Sequence, residues 1–170
     1  AYFTEVTGLA QKYIGLRSGV TGITVDPALF SAPKITKESP MVWITASEVA
    51  FIKAEMALKG WTFVGDTPEN LYKKGIEMSF TENGLTAAQA QAYYNTSGTP
   101  AKYVDPRDSN CNVDAKSTIN KRWSAVTSVE DHLEQIITQK YLANYPNGFE
   151  SWSEWKRTGY PRMFTAAYKC

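Results

Sequence analysis

The residues most suggestive of chemistry are two carboxylates, Glu150 and Glu154, which stand beside Trp152 and Trp155. Paired carboxylates near aromatic rings are typical of glycoside hydrolases, in which one acid protonates the leaving oxygen and the other acts as a base or nucleophile. That reaction requires the carboxyl groups to lie on opposite sides of a bound sugar. Residues four apart on one helix point the same way, and acidic residues are favoured near a helix N-terminus for electrostatic reasons. We therefore predict no catalytic residues.

Two other polar patterns contain residue types found in metal sites or beside catalytic nucleophiles. The segment DSNCNVD, residues 108–114, alternates oxygen-bearing side chains as the first part of a calcium-binding EF-hand loop does. Val113 stands where that loop needs glycine, and Ile119 where it needs a bidentate glutamate, so a hydrogen-bonded Asx-rich turn is the better interpretation. His132 is the sole histidine, and no motif supplies it with a nucleophile. The sequence predicts neither a metal site nor a cofactor.

Aromatic rings in aperiodic segments are the better candidates for ligand contact. Flat rings can stack on the apolar faces of sugars, while nearby amides and carboxylates bond the hydroxyl groups. The candidate rings are Tyr103, Trp123 and Trp43, and the candidate polar groups are Asp105, Arg107 and Asn110. The alternative, which is the commoner role of such rings, is that each one fills the space beneath its loop. Both interpretations stay open at this point.

Composition argues against several classes of protein. Lysine and arginine number 18 against 17 aspartate and glutamate, a formal net charge of +1, which does not favour nucleic acid or anionic lipid as a partner. The 170 residues suffice for one domain with a buried core, and they contain no apolar run of about 18 residues that could span a membrane. Cys111 and Cys170 are too few to define a disulfide framework, and the sequence does not decide whether they pair.

Residues 45–94 predict a helical hairpin followed by a short helix, after an irregular segment over 1–44 that glycines and prolines interrupt. Thr45 with Glu48 forms a capping box for the first helix, which ends at Gly60. Its predicted core stripe comprises Val49, Ile52 and Met56 with the small residues Ala50, Ala54 and Ala57.

The partner of this helix is predicted to start at Thr67, a good N-cap followed by proline at the first helical position. It ends at Asn83-Gly84, and Tyr72, Ile76 and Phe80 recur every four residues along it. The short third helix starts at Thr86, with Gln89 three residues later, and runs to about Tyr94.

Residues 127–163 predict a second hairpin, beyond a polar loop region over 95–126. Thr127 with Glu130 is the predicted capping box of its first helix, and the segment Tyr145-Pro146-Asn147-Gly148 is the turn. The predicted apolar stripes comprise Val129, Leu133, Ile136, Ile137 and Tyr141 on the first helix, and Phe149, Trp152 and Trp155 on the second. We expect Trp152, Ile136 and Ile52 to be largely buried.

Three short motifs in this second hairpin resemble those of the SusD/RagB family. They are IITQKY at residues 136–141, NGFESW at 147–152 and KRTGYP at 156–161, and they stand in the family's order with similar spacing. Upstream, ITASEVAFIKAE at residues 44–55, followed by Gly60-Trp61, is similar to the helix that precedes a Gly-Trp stop in that family. The matched segments span roughly residues 41–163 and indicate the C-terminal portion of a family member.

The resemblance implies a mainly α fold of tetratricopeptide-like helical hairpins, of the α-α superhelix type, with long irregular loops. It also implies a surface-exposed Bacteroidetes outer-membrane lipoprotein that binds glycans or other nutrients and passes them to a SusC-type TonB-dependent transporter, without catalysis or a cofactor. Because such proteins have several hundred residues and a lipid anchor that this chain lacks, we expect a fragment whose surface includes a former interior face. The rival interpretation is a helical-repeat protein-interaction module without its own carbohydrate site.

Overall fold

The computed structural model describes residues 3–20 and 24–167 of the chain. Within these ranges the regular structure is helical, and pairing between extended segments is limited to isolated bridges, Phe3 with Pro33 and Tyr103 with Val113. The helices are α1 (Ala46–Leu58), α2 (Pro68–Glu82), α3 (Ala87–Asn95), α4 (Val129–Ala143) and α5 (Gly148–Thr158). The prediction of a mainly α fold, with helical hairpins and long irregular loops, is confirmed.

The chain divides into two compact units, each assembled from separated stretches of sequence. The loop unit comprises Ala1–Pro40, Ala101–Lys116 and Met163–Cys170, and the helical unit comprises Met41–Pro100 and Ser117–Arg162. All five α-helices lie in the helical unit. The longest of them, α2 and α4, have 15 residues each, and no helix in the described part of the chain is long and apolar enough to cross a bilayer.

Side-chain caps start the helices of the first hairpin at the predicted residues. Thr67 caps α2 by accepting a hydrogen bond from the Asn70 amide at 3.2 Å, and Thr86 forms a complete capping box with Gln89 at the start of α3. Thr45 caps α1 through the Glu48 amide at 3.1 Å. The Glu48 carboxylate does not close this capping box, because it is turned inward to other partners.

The second hairpin starts one residue later than predicted. The N-cap of α4 is Ser128, whose hydroxyl accepts from the Asp131 amide at 3.0 Å, so the predicted capping box of Thr127 with Glu130 is wrong. Thr127 and Ser128 are both hydroxyl residues at this boundary, and a cap at either one would use the same spacing. The turn and the end of α5 are as predicted, with Asn147 as N-cap and Gly159 in the left-handed conformation as C-cap.

The core of the helical unit is aromatic and lies between α1, α2 and α4. Phe51 of α1 meets Tyr72 of α2 edge to face, with ring centroids 6.3 Å apart, and Ile136 of α4 is completely buried in the same cluster. The Tyr72 hydroxyl donates to the Lys121 carbonyl at 2.7 Å. Gly75 allows this packing, because a Cβ atom built there would lie 2.7 Å from the Phe51 ring.

Several predicted core residues instead face solvent. Ile136 and Ile137 are buried as expected, but Ile52 is 38% exposed and Trp152 is 58% exposed, so these two predictions are wrong. Other members of the predicted stripes are also exposed: Val49, Val129, Phe149 and Trp155. On α1, Ala50 and Ala54 of the predicted stripe are buried as expected, together with Phe51, Glu48 and Glu55, so Val49 and Ile52 lie on the opposite side of the helix. On α5, Glu150 and Glu154 turn towards Lys140, and the aromatic residues lie on the other side.

The loop unit is tied together by Arg17. Its guanidinium donates to the carbonyls of Cys111 at 2.9 Å, Thr165 at 3.0 Å and Ala166 at 3.4 Å. One side chain therefore links the three separated stretches of this unit. Cys111 is buried, whereas Cys170 lies outside the described residues, so their pairing stays open.

Replacing Gly75 with alanine is expected to destabilise the chain, because the added methyl group overpacks a fully buried ring at a cost of about 1–3 kcal/mol. The helix propensity of alanine offsets about 1 kcal/mol of this cost, so the expected net loss of stability is up to about 2 kcal/mol. Gly148 is the control, since a Cβ atom there meets nothing within 4 Å. Urea denaturation should give a lower midpoint for Gly75→Ala and not for Gly148→Ala; equal midpoints would mean that α1 and α2 are not so closely packed.

Candidate functional site

Asp105 is the centre of the loop that carries four of the six predicted ligand residues. Its side chain is fully buried, and its oxygens accept hydrogen bonds from the Arg107 amide at 2.9 Å and from the Arg107 guanidinium at 3.1 and 2.8 Å. The Tyr103 hydroxyl donates to it at 3.1 Å, and the Asp108 amide at 3.3 Å. An aspartate that accepts from the amide two residues later forms an Asx turn, which aspartate favours at such positions.

The electrostatics of this cluster keep Asp105 ionised. Burial alone would raise the pKa of Asp105, but the hydrogen bonds from Arg107, Asp108 and Tyr103 outweigh it and lower the pKa to about 2. Burial and the neighbouring carboxylate raise the pKa of Tyr103 to about 12. Both oxygens of Asp105 are therefore engaged in holding the loop, and they are not presented to solvent as a polar rim would be.

The polar run that follows forms an Asx turn at Asp108 and a bond back to the start of the loop from Asn112. The Asp108 carboxylate accepts from the Asn110 amide at 2.9 Å, and the Asn112 side-chain oxygen accepts from the Asp105 amide at 2.8 Å. Asp114 pairs with Lys102 at 3.3 Å. These oxygens serve the loop's own backbone and a lysine, and no group of three or more candidate metal ligands occurs in the described residues. The side chain of Asn110 is exposed at this turn.

Trp123 belongs to the helical unit and packs beneath its own loop. Its ring stacks on His132 with centroids 3.9 Å apart and planes at 16°, and it lies 5.2 Å from the ring of Tyr72. His132 shares a hydrogen bond of 2.9 Å with Gln135. This is the geometry of a ring that fills a gap, the alternative left open by the sequence.

Trp43 is the most accessible of the predicted rings. It precedes α1 in the helical unit and is 83% exposed, within an exposed apolar run that comprises Met41, Val42, Trp43 and Ile44. An indole in this position has both the area and the freedom from other contacts that stacking on a sugar requires.

A second exposed aromatic pair was not predicted as a site. Trp61 and Phe63, in the turn between α1 and α2, have ring centroids 5.6 Å apart and planes at 31°, and both rings are exposed. The glycines that bracket the turn, Gly60 and Gly65, have positive φ values of 86° and 81°. The sequence feature that could have identified this pair is two aromatic residues, separated by one residue, between two glycines. From the sequence, Gly60-Trp61 is interpreted only as the end of a helix.

Glu150 and Glu154, the carboxylate pair first considered for catalysis, share one buried lysine. The ammonium of Lys140 lies 3.2 Å from each of them and 3.5 Å from Glu48 of α1. Lys140 is almost completely buried, and burial raises the pKa of Glu48 although the lysine opposes this. The two glutamates of α5 point towards the same cation, so they cannot flank a sugar from opposite sides as hydrolysis requires.

Arg157 extends this group of ion pairs along α5. We call the whole group the charged layer; its members are Glu48, Glu55, Lys140, Glu150, Glu154 and Arg157. Its guanidinium donates to both oxygens of Glu55 at 2.6 Å, and to Glu154 at 2.6 Å. Lys59, the C-cap residue of α1, contacts Glu55 at 2.7 Å. Burial opposes ionisation of Glu55, but the bidentate bond from Arg157 prevails and lowers its pKa. The charged layer therefore joins α1, α4 and α5.

The chain matches a family model described as SusD-like, Susd and RagB outer membrane lipoprotein, over residues 1–169. The chain belongs to the SusD-like family. A comparison with curated proteins gives no match.

Solved SusD homologues have the same fold over nearly the whole chain. One from Bacteroides thetaiotaomicron VPI-5482 is 38% identical, with a TM-score of 0.86 over 98% of the chain. One from Bacteroides vulgatus ATCC 8482 is 30% identical, with a TM-score of 0.85 over 99%. A chitin-binding homologue from Flavobacterium johnsoniae is 34% identical, with a TM-score of 0.82 over 99%. The chain spans only 35% of each of these three proteins.

The motifs that resemble the SusD-like family supply the charged layer. Lys140 lies in IITQKY, Glu150 in NGFESW and Arg157 in KRTGYP, while Glu48 and Glu55 lie in the upstream helical segment. Their polar residues contact one another across helices. In this SusD-like chain, the motifs hold helices together.

Replacing Asp105 with asparagine is expected to lower the stability of the chain by about 1–3 kcal/mol at pH 7, the range for hydrogen bonds to a charged group. Because the folded pKa of about 2 lies below the ordinary value of 3.8, the contribution of Asp105 is complete above about pH 4 and is lost as the pH falls through 2. The stability gap between wild type and variant should therefore narrow towards pH 2.

Asp114→Asn is the control for this experiment, because its side chain is 86% exposed and pairs only with Lys102. Exposed pairs contribute about 0–1 kcal/mol, so thermal unfolding of this variant should differ little from wild type. If wild type and Asp105→Asn have the same free energy of unfolding at pH 7, or if the difference between them grows on acidification, Asp105 is not the anion that orders the loop.

Proposed function

We propose that this chain is part of a glycan-binding protein of a Bacteroidetes outer-membrane nutrient-uptake system, held at the cell surface by a lipid in the longer parent. The observation that carries the proposal is the family match over residues 1–169. It is supported by the likeness to a homologue that binds chitin, at 34% identity. Because the chain spans about a third of these relatives, the ligand and partners of the whole protein belong to the proposal.

Binding without catalysis is the role that the described side chains favour. The one carboxylate pair beside exposed indoles is bound to Lys140, and its members approach that lysine from one helix. Asp105, a buried carboxylate beside an aromatic ring, accepts from Arg107 and Tyr103. A glycosidase needs one protonated and one free carboxyl across a substrate, and neither group is arranged in that way.

Among the six predicted ligand residues, we assign direct contact first to Trp43. Its indole is open, whereas the ring of Trp123 is stacked on His132. Asn110 offers an exposed amide in the loop unit. Tyr103, Asp105 and Arg107 would act by fixing the shape of the loop that carries Asn110, since their polar groups bond one another.

Delivery of the bound glycan to a SusC-type TonB-dependent transporter is the finer part of the proposal and rests on family membership. Purification of the full-length protein from detergent-solubilised outer membranes tests it. Co-purification of a transporter of that type supports delivery. If the protein is repeatedly recovered alone, delivery to such a transporter is contradicted.

Trp43→Ala is expected to weaken glycan binding by the full-length protein by about 5- to 150-fold, since a stacked ring contributes on the order of 1–3 kcal/mol by analogy with stacking on bases. Met41→Ala is the matched control, because Met41 is equally exposed, at 84% against 83%, but has no ring. Calorimetric titration with a panel of oligosaccharides that includes chito-oligosaccharides measures the effect. Loss of binding in both variants, or in neither, would exclude Trp43 as the stacking ring.

The same titration tests the function itself. Binding to at least one oligosaccharide by the wild-type full-length protein is required, and no binding across a broad panel would favour the rival, a helical protein-interaction module. The chain alone is expected to bind more weakly than the full-length protein if the site has contributions from beyond these residues. Equal affinities would place the whole site within the chain.

A further inference from the structure

Helix α5 is amphipathic, but its polar face, and not its apolar face, is turned towards the rest of the helical unit. Three charged residues point inward: Glu150 and Glu154 contact the buried ammonium of Lys140, and Arg157 donates to Glu55 of α1. A helix at the surface of a protein ordinarily buries its apolar stripe and leaves charge in water. The orientation of α5 is set by ion pairs.

The outward face of α5 carries large aromatic side chains. Phe149 is 89% exposed and Trp152 is 58% exposed, and these residues are three apart, which places them side by side on the helix. The ammonium of Lys156, one turn after Trp152, lies 5.8 Å from that indole. We call Phe149 and Trp152, with Lys156 at their edge, the outer face of α5.

Helix α1 differs from α5, because it buries an apolar face. Ala50, Phe51 and Ala54 lie in the interior together with Glu48 and Glu55, and Val49 and Ile52 are exposed on the other side of the helix. Of these two helices, α5 alone has the reversed arrangement. Apolar residues scattered singly on a surface are ordinary, but adjacent exposed rings such as those of Phe149 and Trp152 mark a surface that another element covers.

The comparison with solved structures indicates what that element is. SusD homologues that match this chain with TM-scores of 0.82 to 0.86 continue for nearly twice as many residues again, because the chain spans 35% of each. We propose that the outer face of α5 is an intramolecular interface, covered in the full-length protein by an apolar face from a segment of the same polypeptide outside these residues.

The chemistry of the face favours a protein segment over a sugar. Stacked sugars require hydrogen-bond partners for their hydroxyl groups beside the ring, and on this face α5 itself offers Ser153 and Lys156. The glutamates and arginine of α5 that could serve are turned inward. A covering segment with an apolar helix face could pack on Phe149 and Trp152 alone, while the ammonium of Lys156 stays in solvent at the edge of the contact.

The test compares Trp152→Gln in the chain alone and in the full-length protein, by chemical denaturation of each. Trp152→Gln is expected to leave the unfolding midpoint of the chain alone unchanged, because the indole is already exposed there, and to shift the midpoint of the full-length protein downward. Met41→Gln is the control, since Met41 is 84% exposed and lies outside α5, and it should shift neither midpoint. Oxidation of Trp152 by N-bromosuccinimide, followed by peptide mass spectrometry, should be fast in the chain alone and slow in the full-length protein.

Four outcomes would overturn the proposal. Equal midpoint shifts in the two proteins, or equal oxidation rates, would show that no other segment covers the indole. Loss of oligosaccharide binding by Trp152→Gln, with the full-length midpoint unchanged, would make the face a sugar site. A full-length dimer that Trp152→Gln converts to a monomer would make the face an interface between copies. The proposal is independent of glycan binding, because a full-length protein that binds no sugar can still show the predicted shift.

Discussion

The buried ammonium of Lys140 is the interaction on which the arrangement of the helical unit depends. A charge removed from water is costly unless it is paired and hydrogen-bonded, and Lys140 is paired with carboxylates from two other helices, Glu48 of α1 and Glu150 and Glu154 of α5. A rotation of α5 about its axis would move Glu150 and Glu154 away from Lys140, and its buried ammonium would then be paired with Glu48 alone. The bidentate pair of Arg157 with Glu55 repeats the constraint further along the same helices.

This constraint explains why α5 exposes its rings. Once Glu150, Glu154 and Arg157 are directed inward, the helical period places Phe149 and Trp152 on the opposite side. Ion pairs of this kind contribute little net stability compared with apolar packing, but they specify one orientation strongly, because a broken buried pair is costly. In this chain the charged layer selects the orientation of α5, and the aromatic face becomes available for a further contact.

The sequence was sufficient for features that depend on neighbouring residues, and insufficient for features that depend on distant ones. Thr67 and Thr86 were predicted as caps because their partners lie three residues away, while Ser128 and Thr127 could not be separated by that rule. Periodicity identified the stripe that includes Trp152, but it could not show which side of the helix meets the core, since this is decided by Lys140 and Glu55. Likewise, Asp105 could be assigned to a polar loop, but its bonds to Arg107 and Tyr103 could not be seen.

A double-mutant cycle between Lys140 and Glu154 tests this account most directly. Their side chains are 4% and 14% exposed and their charged atoms lie 3.2 Å apart. Urea denaturation of wild type, Lys140→Met, Glu154→Gln and the double variant gives their coupling energy. The account predicts a coupling of about 1–3 kcal/mol, as for residues within one buried network, with each single variant clearly destabilised. A coupling below about 0.3 kcal/mol, like that of many exposed pairs, would contradict the claim that this charged layer orients α5.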